Sequence, residues 1–120
     1  MLDYTKVSKI YLVCGKTDLR KGIDGLAAII QHQYQFDPYE NALFLFCGGR
    51  LDRFKMLYYE NDGYLLLYKR LDQGKFHWPR NKEEIRQISH QQLRWLLEGI
   101  RIEKTVYYTH LRAHETSLHI

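Results

Sequence analysis

Cations and aromatic side chains alternate in one segment of the chain, and this mixture is the strongest candidate for chemistry in the sequence. Positions 68–82 hold a single acid, Asp72, among five cations and three aromatic residues. Lysine and arginine on a loop or sheet edge neutralise phosphates, and exposed aromatic rings stack on unpaired bases. The segment therefore predicts contact with nucleic acid. The alternative is a solvated basic rim, with Phe76 and Trp78 buried in the core.

A second group of cations follows the first predicted strand. A helix that starts near Asp18 would direct Arg20 and Lys21 toward a phosphate backbone. In the alternative, Asp18 only caps the helix and Arg20 pairs with Asp24, four residues further on. With the cations around the predicted hairpin, the candidate nucleic-acid-binding residues are Arg20, Lys21, Arg50, Arg53, Lys55, Lys69, Arg70, Lys75, Trp78 and Arg80.

The residue types needed for catalysis or metal binding lack the required spacing. Metal-dependent phosphoryl chemistry needs several carboxylates on one site, whereas the aspartates here mostly fall in turns or beside Lys and Arg. No glycine-rich phosphate loop or Ser-His-Asp pattern is present. His110 and His114 have ligand spacing but lie in a weakly patterned tail. We expect no catalytic residue, no metal site and no cofactor.

Composition indicates one folded domain. The 120 residues are 45% hydrophobic and 27% charged, which is ordinary globular usage, and the net charge of +4 favours polyanions. Cys14 and Cys47 lie in apolar runs without disulfide or zinc spacing, which is typical of buried thiols in a reducing compartment. No apolar run approaches the roughly 18 residues of a membrane span, so we expect a cytoplasmic protein.

Several apolar runs predict the strands that would position the cations. Residues 9–14 form one strand, and residues 42–47 form a second whose continuous hydrophobicity favours a central, buried position. Residues 54–69 predict a hairpin around Asp62 and Gly63. Residues 75–78 are a candidate for a further short strand. A two-residue turn at Asp62 and Gly63 places on one face Lys55, Leu57, Tyr59, Leu66, Tyr68 and Arg70.

Two amphipathic runs predict helices. The first has Thr17 or Asp18 as its cap, and Gly22 with Gly25 indicates either close packing of another backbone or a later helix start. The second begins at a capping box in residues 89–92 and ends near Gly99. We therefore predict a single α+β domain with a mainly antiparallel sheet of about four to five strands, a central hairpin and two helices covering one face.

The end of the sequence is patterned differently from the rest. Residues 106–120 show no strong apolar period and little turn chemistry. We interpret them as the product of a reading frame that runs into sequencing-adapter DNA, and we set them aside from the fold. The predicted domain spans residues 1–105.

Four stretches carry a resemblance to a known family, and their order and spacing cover roughly residues 8–102. They are Thr17–Gly22 with Gly25–Leu26, Arg53–Leu57, Gly63 leading into Tyr68–Leu71, and Gly74–Phe76 with Trp78–Pro79. In these the chain resembles the TnpB-type accessory proteins of insertion-sequence family sixty-six, which are distinct from the RNA-guided nuclease of the same name. The resemblance implies a role beside a separate, larger transposase that cleaves and joins DNA strands.

The sequence departs from the family pattern at two places. Tyr59 and Glu60 stand where relatives usually carry Trp and Asp. Gly48 and Gly49 stand where arginine or asparagine is common, which removes positive charge and weakens a role for Gly49 in DNA contact.

The expected function is that of a non-catalytic accessory protein in transposition. Its expected partners are the element-encoded transposase, the other accessory protein and DNA, with no membrane and no small-molecule substrate. One alternative is a protein adaptor that binds the transposase without touching DNA. Another is a protein that only stabilises the transposase or regulates its amount.

Overall fold

The computed structural model describes residues 4–60, 62–80, 83–99 and 102, so the tail at 106–120 lies outside the described residues. A short 3-10 turn, Tyr4–Lys6, precedes the first strand. The strands are β1 (Lys9–Val13), β2 (Ala42–Cys47), β3 (Arg53–Glu60), β4 (Gly63–Arg70) and β5 (Ile85–Ile88). The helices are α1 (Ile23–Ala28), continued by a π-helical turn at Ile29–Gln33, and α2 (His90–Leu97). None of the described helices is long and apolar enough to cross a membrane.

The five strands form one mixed sheet in the order β4-β3-β2-β1-β5. β1 and β2 are parallel, while the other three neighbouring pairs are antiparallel. A parallel pair needs a crossover connection, and the chain between β1 and β2 supplies it with α1. The predicted α+β class, the number of strands and the mainly antiparallel pairing are confirmed. The parallel pair is an addition to the prediction.

The two helices lie on opposite faces of the sheet, so the prediction that both cover one face was wrong. Leu26 of α1 packs with Tyr11 and Phe44, whereas Leu93 of α2 packs with Leu12 and the rest of the other core cluster. All six residues of β2 are buried. A strand that is apolar on both sides needs cover on both faces of the sheet, and the helices divide that task.

The first helix starts later than its predicted cap. α1 begins at Ile23 after Gly22, whose extended backbone makes no side-chain cap hydrogen bond. The prediction of Thr17 or Asp18 as the cap was wrong, and the alternative of a later helix start is correct. The reason is that residues 16–21 first cross the end of β2, where the Thr17 N–H donates to the Cys47 carbonyl at 2.8 Å.

The hairpin forms as predicted, with a register shifted by two residues. Glu60 pairs with Gly63, so Gly63 is the first residue of β4 and not a turn residue. Because side chains alternate along a strand, an even shift keeps the predicted face intact. Lys55 therefore shares its face with Tyr68, which it now opposes directly in place of Arg70.

Residues 75–78 form no strand, and the fifth strand is Ile85–Ile88 instead. The predicted capping box of α2 is confirmed: the Gln92 N–H donates to Ser89 Oγ at 3.0 Å, and the Ser89 N–H donates to Gln92 Oε1 at 2.9 Å. Gly99 follows α2 with a φ of 83°, in the left-handed region where glycine is favoured. β5 was missed because it has four residues, two of them polar.

Candidate nucleic-acid interface

The topology brings most of the predicted site residues to one end of the sheet. β1 and β2 are parallel and end there, β3 begins there at Arg53, and β4 ends there at Arg70 directly opposite Arg53. The other end carries acids, including Glu60 and Asp62 beside the hairpin turn and Glu40 before β2. In open α/β sheets ligands bind beyond the carboxyl ends of parallel strands, and the β1–β2 pair is the one parallel pair among the described strands of this sheet.

A groove of about 860 Å³ opens at this end, and we call it the basic groove. Its walls are the segment after β1, the loop after β2 and the α1 side of the hairpin. It is lined by Lys16, Thr17, Asp18, Leu19, Arg20, Gly48, Gly49, Arg50, Arg53, Lys55, Leu66 and Tyr68. Five of these residues are cations and one is an acid, so the lining is strongly positive. Such a surface suits a polyanion.

The floor of the groove depends on a close approach at Gly48. A Cβ at Gly48 would lie 3.1 Å from Leu19 Cγ and 3.2 Å from the Thr17 carbonyl oxygen, because residues 17–19 cross directly above it. Gly49 is different, since a Cβ there would meet Lys16 Cδ at an ordinary 3.5 Å. The first glycine of the pair is therefore required by packing, whereas the second leaves room for a side chain.

Arg20 is held by the nearest acid in the groove. Its guanidinium donates to Asp18 with Nη2 to Oδ2 at 2.9 Å and Nε to Oδ1 at 3.0 Å. The Arg20 backbone N–H also donates to Asp18 Oδ1 at 3.0 Å. These hydrogen bonds, first that of the Arg20 side chain, lower the pKa of Asp18 from 3.8 to about 2. Arg20 thus pairs two residues back, and not with Asp24 as the alternative interpretation proposed.

Arg53 and Arg50 share the acid Asp52. Arg53 Nε donates to Asp52 Oδ1 at 2.8 Å, and Arg50 Nε lies 4.0 Å from the same oxygen. The Arg53 hydrogen bond is the main cause of the lowered pKa of Asp52. Arg53 Nη1 also donates to the hydroxyl of Tyr68 at 3.4 Å. Arg53 is therefore locally satisfied, whereas Arg50 keeps a side chain that is 74% exposed and loosely paired.

Lys55 and Lys16 keep their charges available. Lys55 Nζ donates to the Lys21 carbonyl at 3.0 Å and lies 6.0 Å from the centre of the Tyr68 ring. Neither Lys55 nor Lys16 takes part in an ion pair within the described ranges. Tyr68 itself is 53% exposed at the rim. Among the cations that line the groove, those available to a ligand are therefore Lys16, Lys55 and, with its weak pairing, Arg50.

The segment at 68–80 divides between surface and core. Lys69, Arg70 and Lys75 are exposed at the same end of the sheet, and no ion pair among the described residues includes them. Trp78 is only 7% exposed, and its indole Nε1 donates to the Val13 carbonyl at 3.0 Å. The prediction of Trp78 as a base-stacking residue was wrong, because its ring fills the core against Phe54.

Phe76 and Arg80 also serve the fold. Phe76 is 1% exposed, so the alternative with both aromatic residues in the core is the correct one. Arg80 donates to the carbonyl of Gly15 at 3.4 Å and to the carbonyl of Gly48. It thereby ties together the ends of the two parallel strands beneath the basic groove. Lys82 of the same segment lies outside the described residues.

The sequence interpretation missed Lys16. This lysine lies three residues after the end of β1, directly after Gly15, and it lines the groove because β1 ends beside β2. The signal was present as a cation directly after a strand. It becomes informative once β1 and β2 are known to be parallel, which places the two strand ends side by side.

The thiols and acids form no reactive cluster in the part of the chain that the structure describes. Burial raises the pKa of the Cys47 thiol from 9.0 to about 11, an effect that Arg80 opposes in part. Cys14 is also buried, and the two cysteines form no disulfide with each other. No group of three or more His, Cys, Asp or Glu side chains among these residues is placed to hold a metal ion.

Comparison of the sequence with known proteins places this chain in a family. The sequence profile of the IS66 Orf2 like proteins matches residues 8–106. The uncharacterized protein y4hO of Sinorhizobium fredii (strain NBRC 101917 / NGR234) is 35% identical over 100 residues, which span 83% of this chain and 87% of that protein. The uncharacterized protein y4jC of the same strain is 29% identical over 100 residues, 83% of this chain and 86% of its own length. No solved structure matches significantly. The chain belongs to the IS66 Orf2-like family, the TnpB-type accessory proteins of insertion sequences.

Proposed function

We propose that this protein acts in DNA transposition as a non-catalytic partner of a separate transposase in the cytoplasm, and that the basic groove holds DNA through its phosphate backbone. The observation that carries the proposal is the groove lining, which holds five cations and one acid, Asp18; a second acid, Asp52, contacts Arg53 and Arg50 from outside the lining. Phosphate contacts position a protein on DNA without reading sequence. The protein would thus help to hold the element ends or the target DNA while the transposase performs the chemistry.

The charges outside the groove extend the same surface. Lys69 and Arg70 end the edge strand β4, and Lys75 follows in the next loop, all exposed at the groove end of the sheet. Arg70 opposes Arg53 and lies on the groove face of the hairpin, whereas Lys69 opposes Phe54 and carries its charge to the other face at the same end of the sheet. Tyr68 adds a half-exposed ring, which suits stacking on an unpaired base. These features support binding of both duplex and single-stranded DNA.

Charge reversal in the groove tests the DNA proposal. Lys16→Glu and Arg50→Glu each remove one free cation from the lining, and we expect each to weaken binding of labelled DNA by roughly tenfold or more at low salt. The matched controls are Lys6→Glu and Arg94→Glu, which make the same charge change at exposed positions away from the groove. Fluorescence anisotropy with duplex and single-stranded probes measures the affinities. Equal losses in all four variants, or no wild-type complex at low salt, would refute DNA binding by the groove.

A second function is favoured by a specific observation. Arg20 and Arg53 are already paired with Asp18 and Asp52, so part of the groove charge is satisfied within the chain. Such a surface also suits an adaptor that binds the transposase without touching DNA. Co-purification of the full chain with its transposase, with and without nuclease treatment, separates the two functions. A complex that survives nuclease, from a chain that binds no DNA, would establish the adaptor.

A further inference from the structure

The strand β4 is a long sheet edge with an apolar centre. It is eight residues long, has β3 as its sheet neighbour and lies at the end of the strand order. Leu65, Leu66 and Leu67 follow one another in its centre and are only partly buried. Soluble proteins usually protect such an edge with proline, bulges or inward charges, because its backbone N–H and C=O groups accept a further strand. The described part of β4 contains no proline.

Opposite charges stand at the two ends of this edge. Asp62 precedes β4 and is exposed, while Lys69 and Arg70 end the strand and are also exposed. None of the three takes part in an ion pair between described residues. A strand that runs antiparallel to β4 and carries the same sequence would therefore meet acid with base at both ends.

We infer that β4 pairs antiparallel with β4 of a second copy of this chain, with Leu66 facing Leu66 of the other copy across a two-fold axis. Directly opposed residues in a sheet point to the same face, so a two-fold pair must place one residue opposite itself. With Leu66 in that position, Arg70 opposes Asp62 of the other copy, and Tyr68 opposes Tyr64.

The neighbouring registers are less favourable. With Leu67 opposite itself, Asp62 would oppose Asp72 of the other copy, and facing like charges destabilise a strand pair. With Leu65 opposite itself, the paired part of β4 shrinks to five residues, from 63 to 67. A parallel pairing would align Lys69 and Arg70 with the same cations of the other copy. Charge thus selects the register centred on Leu66.

The two-fold assembly would bring two basic grooves to one face. Leu66 and Tyr68 line the groove, so each groove lies directly beside the shared edge. In this register Tyr68 of one copy and Tyr68 of the other are four residues apart along the strands, which is about 14 Å at 3.4 Å per residue. The result is a continuous ten-stranded sheet with two positive sites on one face, open toward opposite ends of the strands and related by the two-fold axis.

Cross-linking tests the register. In the full chain, Leu66→Cys places two thiols at facing positions with Cβ atoms about 5 Å apart, close enough to form a disulfide after small adjustments. Mild oxidation should yield a covalent dimer on a non-reducing gel. Leu65→Cys and Leu67→Cys are matched controls, because each would face the other leucine and not itself. A dimer in the controls but not in Leu66→Cys would overturn the register.

Charge exchange keeps the proposal testable if Leu66→Cys fails to fold. Each assembly would contain two Asp62–Arg70 pairs, so Asp62→Lys or Arg70→Asp should raise the dimer dissociation constant about tenfold or more, and the double variant should recover it. Analytical ultracentrifugation measures the constants, and Asp72→Lys is the control outside the paired strand. A wild-type chain that remains monomeric at high micromolar concentration, or single variants without recovery in the double, would overturn the proposal. A wild-type chain that stays monomeric but still binds DNA would overturn the dimer alone, and a dimer that binds no DNA would overturn the DNA proposal alone, so the two proposals fail separately.

Discussion

Replacing Asp18 with asparagine should release Arg20 into the basic groove. Asp18 binds the Arg20 guanidinium through two oxygens, and its pKa is lowered from 3.8 to about 2. The ion pair is therefore complete above pH 3.8 and is lost only as the pH falls through about 2, so it is intact under any ordinary binding condition. Asparagine keeps the size of the side chain but removes the charge that neutralises Arg20. The substitution should increase the affinity for DNA.

The structure gives the size of the effect in terms of salt dependence. Three groove cations lack a close carboxylate in the described chain: Lys16, Lys55 and, at 4.0 Å from Asp52, Arg50. If each meets one duplex phosphate, log K should fall with log salt at a slope of about −2.7, which is roughly a 40-fold loss between 50 and 200 mM. Arg20 as a fourth contact makes the slope about −3.6 and the loss roughly 150-fold.

The assay is a salt titration of DNA affinity for the wild-type chain and Asp18→Asn. Fluorescence anisotropy at four or more salt concentrations gives both slopes, and Asp24→Asn serves as the matched control because Asp24 is exposed on α1 and makes no described ion pair. An equal slope in Asp18→Asn and wild type would show that Arg20 does not reach a phosphate. An equal increase in both variants would show that net charge, and not the groove, controls binding.

Three further predictions concern the fold beneath the groove. Gly48→Ala should lower the free energy of unfolding by about 1–3 kcal/mol in urea, because its Cβ would crowd Leu19, whereas Gly49→Ala should change it by less than about 0.5 kcal/mol. Trp78→Phe should lower the free energy of unfolding by about 1–3 kcal/mol, because the Val13 carbonyl loses its indole donor. The affinity for DNA should not change. A stable variant with reduced affinity would show that Trp78 does belong to the interface. Both thiols should be unreactive toward Ellman's reagent at pH 8 in the native protein, because both are buried and the pKa of Cys47 is raised to about 11. Unfolding in urea should expose two reactive thiols per chain. Rapid reaction of the native protein would contradict their burial.

Local patterns predicted most of the elements of the fold. The continuous apolar run at 42–47 gave β2 and its central position, and the Ser89 box gave the start of α2. The arrangement of these elements depends on long-range contacts that no local pattern encodes. The apolar run of β2 indicated that both faces of the sheet are covered by other elements. Which helix packs on which face follows only from the parallel pairing of β1 and β2, which the sequence pattern does not show.

The candidate site was predicted in part, and the errors have physical causes. Arg50, Arg53 and Lys55 line the groove as residues of the hairpin region that the sequence singled out. Trp78 was wrongly predicted to be exposed at the site, because an aromatic residue beside cations has the same sequence pattern whether its ring is buried or exposed. Arg80 was misplaced for a related reason, since its charge is used on the carbonyls of Gly15 and Gly48.

The separation of charge along the strands has a kinetic consequence. Cations gather where β1 and β2 end, whereas Glu60 and Asp62 stand at the other end, so a single chain carries an electric dipole along the sheet. The electric field of a polyanion orients such a molecule with its groove toward the polyanion before contact. This orientation raises the association rate most at low ionic strength. In a two-fold pair the in-plane dipoles point in opposite directions and cancel. Association would then lose this orienting torque and depend on net charge, so the ionic-strength dependence of the on-rate should differ between dilute and concentrated protein.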